Sequence, residues 1–244
     1  MMFYSNTDIG MIRDLNEDYY DNLIDENWAL FVVADGMGGH KAGEVASMMA
    51  VETIKKTMSE KMTKDGNRLE DLEEAIQIAN DKIHQYSEKS PECRDMGTTI
   101  VTALVEDNHL YLANVGDSRA YLLNEHGFKQ ISRDHSLVNE MLASGSITEE
   151  EAKNYSRKNI ITRSVGLEGD VEAETLALEL NAGDQLLLCT DGLNGLVEDS
   201  VIEETLRKDV DLEEKVEHLI DLANDNGGND NITVTLVLNK EVAE

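Results

Sequence analysis

Two apolar stretches of this chain end in an aspartate followed by a glycine, and they constrain its fold more than any other feature. Residues 29–36 read ALFVVADG, and residues 185–192 read QLLLCTDG. Short apolar runs bounded by polar residues predict buried strands. Each run therefore predicts a strand that holds a carboxylate, Asp35 or Asp191, at its end. A third Asp-Gly pair, at Asp65, has polar residues on both sides and predicts an ordinary turn.

The remaining segments predict a mixture of strands and helices. Apolar residues three and four apart indicate amphipathic helices over residues 42–62 and 69–86, and two acidic helices follow between residues 199 and 224. Further strand-like runs occupy residues 97–106, 109–116, 119–124, 174–180 and 231–238. Two-residue breaks separate the first three of these runs, and breaks so short predict antiparallel neighbours. This order predicts an α+β fold, a β-sandwich of two antiparallel sheets flanked by helices on both sides.

Composition restricts the partners of the chain. Its 244 residues include 50 acidic and 21 basic ones, a formal net charge of -29 that predicts repulsion from nucleic acid and anionic membranes. No apolar stretch approaches the roughly 18 to 20 residues that span a bilayer, and no leader pattern is present, so we expect a soluble, cytoplasmic protein. We also expect one domain over residues 1–244 and a monomer. The two cysteines lack CxxC spacing and predict neither a disulfide nor a zinc site.

Because acids are so abundant, only those in an unusual context indicate a site. Besides Asp35 and Asp191, Asp230 immediately precedes an apolar run, Asp117 lies in a tight break between two runs, and Asp18 closes the stretch RDLNED. If these strand ends meet at one edge of a sandwich, so many carboxylates cannot all stay ionised without a cation. A site that offers only oxygen ligands, with no Cys and no clustered His, favours Mg²⁺ or Mn²⁺.

The glycine after Asp35 has a role in this interpretation, because the carbonyl of Gly36 can approach the same ion without a side chain in the way. Each acid also has an ordinary interpretation as a turn residue, most readily Asp117 and Asp230. Other phosphate chemistries lack their motifs. The sequence has no GxxxxGK[ST] loop, no Asp-x-Asp at either acidic strand end, no GxSxG and no arginine-bearing cysteine loop.

Six motifs in order resemble one family. They are RDLNED, VVADGMGGHKAGEVAS, GTTIVTALV, NVGDSRAYL, LLLCTDGL and NDNITV, and together they run from about Ser5 to Leu238. In order and spacing they are similar to the metal-dependent protein phosphatase family (PPM, type 2C) in its compact bacterial form. The resemblance implies hydrolysis of phosphoserine and phosphothreonine in proteins, by a water that bridges two divalent ions and attacks phosphorus without a covalent enzyme intermediate.

The resemblance also implies roles for single positions. Asp35 corresponds to the carboxylate that bridges two metals, and Gly36 to the carbonyl ligand of the second metal. Asp191 and Asp230 correspond to terminal ligands of the first metal, and Asp117 joins Asp191 around a third. The remaining three matches are Arg13, which grips the substrate phosphate, and Glu17 and Asp18, which hold metal-bound waters.

One motif departs from the family pattern. Eukaryotic relatives carry a proposed general acid, a histidine, after Asp-Gly, and this chain carries Met37. His40 is therefore a possible proton donor, although it could equally cap or pack. Arg119 is expected to tie its turn to a nearby acid. Residues 144–166 correspond to a variable flap beside the third metal, which is thought to influence substrate access.

The predicted function is a Mn²⁺- or Mg²⁺-dependent serine/threonine protein phosphatase that opposes a bacterial serine/threonine kinase. Two alternatives belong to other classes. A catalytically silent relative could bind phosphoproteins as a regulatory module, although such a relative would be expected to lose a ligand position. A simple divalent-ion binding protein would leave Arg13 without a task.

Overall fold

The computed structural model describes residues 1–38, 42–153, 155 and 160–240. Two antiparallel sheets pack face to face, and helices cover the outer face of each sheet, so the predicted αββα sandwich is confirmed. In chain order the strands are β1 (Met2–Asp8), β2 (Asp18–Ile24), β3 (Trp28–Met37), β4 (Gly97–Thr98), β5 (Ile100–Glu106), β6 (His109–Val115), β7 (Arg119–Asn124), β8 (Gly127–Gln130), β9 (Glu174–Glu179), β10 (Gln185–Cys189) and β11 (Ile232–Leu238).

The first sheet has the strand order β2-β3-β5-β6-β9, with β4 paired to the end of β3, and the second has the order β1-β11-β10-β7-β8. The helices are α1 (Ala42–Lys61), α2 (Arg68–Lys89), α3 (Leu137–Ala143), α4 (Glu149–Lys153), α5 (Asp191–Asn194), α6 (Asp199–Leu206) and α7 (Leu212–Asp225). Helices α1 and α2 pack on the first sheet, and α5, α6 and α7 pack on the second. Within the described residues, no helix is long and apolar enough to cross a membrane.

Side-chain alternation along β3 explains how this strand positions a carboxylate. Leu30 and Val32 pack against α1 and α2, whereas Phe31 and Val33 pack in the layer between the two sheets. Since alternate residues of a strand share a face, Asp35 continues the face that looks toward the second sheet. An apolar strand with both faces buried therefore delivers one acid to the end of the layer between the sheets.

Two details of strand pairing differ from the sequence predictions. Strands β5 and β6 are antiparallel neighbours as predicted, but β6 and β7 belong to different sheets, so that predicted pairing is wrong. Gly116, at φ 105°, lies in the left-handed region and turns the chain from one sheet to the other. The second difference is that β3 continues past Asp35, because Gly36 and Met37 pair with β4.

Candidate metal centre

A cavity of about 300 Å³ lies where the two sheets bring their acidic ends together. It is lined by seven of the nine predicted site residues, namely Arg13, Glu17, Asp35, Gly36, Asp117, Asp191 and Asp230, and also by Met37, Gly38, Thr99 and Ile161. Asp18 lies beside it, whereas His40 falls outside the described residues. A larger cavity of about 650 Å³, at the other end of β7 and β10, holds none of these residues.

Asp18 is a buried carboxylate that joins the two sheets. It is the cross-strand partner of Asp35 in the first sheet. Its Oδ2 atom accepts hydrogen bonds from the Thr190 hydroxyl at 2.8 Å, just after β10, and from the Thr233 hydroxyl at 2.7 Å, in β11 of the second sheet. These two threonines therefore fix one oxygen of Asp18, and the other, Oδ1, is buried without a hydrogen-bond partner.

Asp35 is held through its backbone by two threonines that the sequence analysis did not select. Its N–H donates to Thr99 Oγ1 at 3.0 Å, and its carbonyl accepts from Thr99 N at 2.9 Å and from Thr98 Oγ1 at 2.8 Å. The Thr99 and Ser118 hydroxyls form a 2.7 Å hydrogen bond. Because Ser118 follows Asp117, this buried hydroxyl pair connects the supports of two candidate metal ligands.

Gly36 allows the backbone of β3 to pass very close to other chain segments. Its N–H donates to the Glu17 carbonyl at 3.1 Å. A Cβ atom at position 36 would collide with the carbonyl oxygens of Glu17 and Gly43. This position therefore requires glycine, and Gly36 lines the cavity, where its carbonyl remains a predicted metal ligand.

The predicted phosphate-binding residue, Arg13, makes an ion pair inside this site. Its Nη2 atom donates to Asp230 Oδ2 at 2.7 Å, and the Arg13 side chain remains 45% exposed. Asn231 holds the surrounding loop, because its Nδ2 atom donates to the carbonyls of Ile9 and Leu15 at 2.9 and 3.0 Å. The arginine thus lies at the mouth of the cavity on a fixed loop.

The carboxylates of the cavity are electrostatically frustrated. Burial, with the neighbouring charges of Asp18 and Asp191, raises the pKa of Asp35 well above its usual range. Burial likewise raises the pKa of Asp18 and of Asp117 to about 7, with Asp191 the leading like charge for Asp117. The pKa of Asp191 is also raised, by burial and by the charge of Asp230. Added positive charge would relieve this repulsion and favour the ionised forms.

Unsatisfied oxygen atoms test whether hard divalent cations fit these residues. Glu17 Oε1, Asp18 Oδ1 and Asp191 Oδ1 are buried and have no hydrogen-bond partner. Every candidate donor is an oxygen atom, the ligand type that Mg²⁺ and Mn²⁺ prefer. Among the described residues, no three carboxylate, imidazole or thiolate groups already converge on one ion position. It is the unpartnered, buried carboxylate oxygens that fit hard divalent cations.

Other predicted residues have structural roles around the cavity. Arg119 ties its turn to an acid as expected, because its Nε and Nη2 atoms donate to both carboxylate oxygens of Asp134 at 2.7 to 3.0 Å. Asp134, His135 and Ser136 are all buried nearby. In the predicted flap, Ile161 reaches the cavity and Val165 forms an antiparallel bridge with Thr98. Residues 154 and 156–159 of that flap lie outside the described residues.

The fold and the cavity together define a class of protein, an αββα sandwich enzyme whose two sheets converge on a cluster of buried carboxylates beside an arginine. Within that class, the chain belongs to the protein phosphatase 2C family, whose family model matches residues 13–236. It is 44% identical over 236 residues to the serine/threonine phosphatase stp of Listeria monocytogenes, covering 95% of this chain and 93% of that protein.

Solved structures agree with this assignment. The serine/threonine phosphatase PstP/Ppp of Mycobacterium tuberculosis is 34% identical, with a TM-score of 0.89, and the match covers 98% of this chain and 99% of that one. The catalytic domain of PstP in complex with two manganese ions is 35% identical, with a TM-score of 0.84 and 96% of each chain covered. The predicted class, a serine/threonine protein phosphatase of a metal-dependent family, is confirmed, and the alternative of a catalytically silent module is not supported.

Proposed function

We propose that this cavity hydrolyses phosphoserine and phosphothreonine in phosphoproteins with Mn²⁺ or Mg²⁺, two ions in the core of the site and a third near Asp117. The observation that carries the proposal is the set of buried, unpartnered carboxylate oxygens beside the Arg13 guanidinium. A cluster of this kind combines sites for divalent cations with a fixed positive group for a phosphate.

The residues would divide the ions between them. Asp35 would contact both core ions, and Gly36 would offer its carbonyl to the second of them. Asp191 and Asp230 would complete the first core site, and Asp117 would share the third ion with Asp191. Glu17 and Asp18 would hold waters of the ions through their unpartnered oxygens, which orients the outer part of each coordination sphere.

The chemistry that bound divalent cations supply at such a site is an activated water for in-line attack at phosphorus and neutralisation of the phosphoryl oxygens. The chain itself positions the substrate. Arg13 would exchange part of its contact with Asp230 for two phosphoryl oxygens, since a guanidinium can bind both at once. Met37 carries no transferable proton, so the leaving serine or threonine oxygen would take its proton from water or from His40.

The biological partners in this proposal are phosphoproteins, a cognate bacterial serine/threonine kinase and the targets of that kinase. Two features support it, namely relatives that are named serine/threonine phosphatases and a strongly acidic surface that disfavours nucleic acid and anionic membranes. Screening over about 8 Å at physiological ionic strength lets Arg13 and bound cations attract a phosphate despite the distant acids. We propose that the enzyme acts as a cytoplasmic monomer.

The test is phosphate release from a phosphothreonine peptide with Mn²⁺, with chelator, and with the variant Asp191→Ala. We expect release by the wild type with Mn²⁺, and a loss of about a thousandfold or more with chelator or with the variant. Asp65→Ala is the matched control, because it removes an exposed acid from an Asp-Gly turn remote from the cavity. Equal and negligible release in every sample would contradict the proposed function.

A further inference from the structure

The loop that precedes Arg13 exposes apolar side chains beside the candidate site. Residues 9–12 read IGMI and carry no charge, in a chain whose net charge is -29. Met11 and Ile12 are each 68% exposed, more than any other large apolar side chain of the described residues, and Ile9 is 39% exposed. We call Ile9, Met11 and Ile12 the apolar rim.

Hydrogen bonds hold the backbone of this loop in place. Gly10 adopts φ 79°, and its N–H donates to Asp8 Oδ1 at 2.8 Å. The N–H of Met11 donates to the Gly228 carbonyl at 2.8 Å, and the Ile9 carbonyl accepts from the buried side chain of Asn231. A turn at Gly10 and hydrogen bonds to a segment distant in sequence thus hold the backbone of the rim in a fixed geometry.

The apolar rim is continuous with the phosphate-binding part of the proposed site. Ile12 directly precedes Arg13, and the Arg13 guanidinium lies 2.7 Å from Asp230 at the cavity. Met11 is bonded to Gly228, two residues before Asp230. An extended peptide advances about 3.3 Å per residue, so a residue next to a phosphorylated one would be within reach of the loop that carries the rim.

We infer that the apolar rim binds a large apolar side chain next to the phosphorylated residue of the substrate. The inference rests on the proposed function, because it needs a phosphoprotein at the cavity. The charge of the molecule favours this occupant over others. A membrane of anionic lipids and a second copy of this chain would both be repelled by the acidic surface. A phosphorylated peptide would be repelled less, because Arg13 beside the rim offsets the charge of its phosphate and an apolar side chain adds none.

The experiment compares pairs of phosphothreonine peptides that differ in one residue next to the phosphothreonine. One peptide of each pair has leucine at that position and the other has serine. One pair tests the position before the phosphothreonine and a second pair the position after it. The measured quantity is the ratio of kcat/KM for the leucine peptide to that for the serine peptide. For the wild type with Mn²⁺ we expect a ratio of about 5 to 10 on one of the two sides, the size of a partly buried aliphatic contact.

The double variant Met11→Ser/Ile12→Ser should bring that ratio to about 1, mainly through a higher KM for the leucine peptide. The matched control is Ile24→Ser, because Ile24 is 50% exposed at the far end of β2, roughly 20 Å along the strand from Asp18. We expect this control to keep the wild-type ratio. Since all three substituted side chains are exposed, the melting temperatures of the variants should stay close to that of the wild type.

The outcomes separate this inference from the proposed function. A wild-type ratio near 1 on both sides, with phosphate released from all peptides, would overturn the inference alone. So would a double variant that keeps the wild-type ratio, or sedimentation that finds a wild-type dimer which the double variant loses. No release from any peptide by any protein would contradict the proposed function and the inference with it.

Discussion

Two groups of acidic side chains in this molecule have opposite electrostatic surroundings. The first, which we call the Arg68 cluster, consists of the acids Glu106, Asp71 and Glu74 together with the basic residues Arg68 and Lys61. Arg68 donates to both carboxylate oxygens of Glu106 at 2.8 and 2.9 Å, and Lys61 lies 3.4 Å from Asp71. The hydrogen bonds from Arg68 hold the pKa of Glu106 below its usual range. Each acid of this cluster is paired with an arginine or lysine of the chain itself.

The cavity has the reverse arrangement. Asp35, Asp117 and Asp191, which line the cavity, and Asp18 beside it all have raised pKa values. The cation among the described lining residues, Arg13, lies at the mouth of the cavity and pairs with Asp230. The comparison shows that the role of an acidic side chain depends on which group supplies the opposite charge. A carboxylate paired with an arginine stabilises the fold, whereas buried carboxylates without enough arginine or lysine depend on cations from solution.

The largest expected difference between the two groups is their response to Mn²⁺. Because the ions bind only the folded carboxylate cluster, a Mn²⁺ concentration 100 times the dissociation constant should add about 2.7 kcal/mol to the free energy of unfolding. Thermal melting with and without Mn²⁺ measures this gain. Asp191→Ala should lose it and Glu106→Ala should keep it. A melting temperature of the wild type that does not change across the titration would refute a shared metal centre.

An effect no larger than the gain with Mn²⁺ is expected in the pH dependence of the free energy of unfolding of the metal-free protein. The folded state raises the pKa of Asp18 from 3.8 to about 7, so the stabilising contribution of this protonated carboxyl is complete at low pH and is lost as the pH rises through 7. The variant Asp18→Asn removes the titrating group, and the amide oxygen that it introduces can still accept from Thr190 and Thr233. In chelator, this variant should therefore gain stability over the wild type between pH 5 and pH 8, by about 2 to 3 kcal/mol, because the wild type loses stability over roughly two pH units above pH 5. Denaturant unfolding at both pH values measures it, and a gain of equal size at both would count against the raised pKa.

The smallest expected effect concerns the Arg68 cluster. Here the contribution to the free energy of unfolding grows with pH, the opposite of the contribution of Asp18. The lowered pKa of Glu106 means that its contribution is present above the pKa of the unfolded chain and is lost as the pH falls through the folded pKa. Glu106→Ala should cost about 0.5 to 1 kcal/mol at pH 7, less at high salt, and little at pH 3. Glu106→Gln is the matched control for shape. A loss that is the same at pH 7 and pH 3 would show that packing, and not charge, is responsible.

Periodicity predicted the interior elements of this fold far better than its edges. Strands β3, β10 and β11 and helices α1, α2 and α7 carry the expected apolar patterns and are present. The apolar pattern does not predict β1, β2 or β8, and all three lie at the edge of a sheet. Edge strands are half-exposed and need no continuous apolar pattern, as in MFYSNTD of β1 and DYYDNLI of β2.

The candidate site could be predicted in part for a similar reason. An acid at the end of an apolar strand stands out in a sequence, which is why Asp35 and Asp191 were selected. Their supporting hydroxyls do not stand out, because Thr99, Ser118 and Thr233 resemble ordinary strand and turn residues. Thr233 reaches the Asp18 carboxylate, and Thr99 reaches Ser118 and the Asp35 backbone, only through the folded structure, and such long-range contacts leave no local signal.

The bond between Asp18 and Thr233 has a consequence for the order in which the enzyme is made. The two residues are 215 positions apart, and β1 pairs with the late strand β11. At roughly 5 to 20 residues per second, about 10 to 40 seconds of translation separate the two halves of the site. A nascent chain therefore carries its first acids without the hydroxyls that orient them. Since Asp230 and Thr233 both belong to this late segment, we expect phosphatase activity to appear only once β11 has left the ribosome.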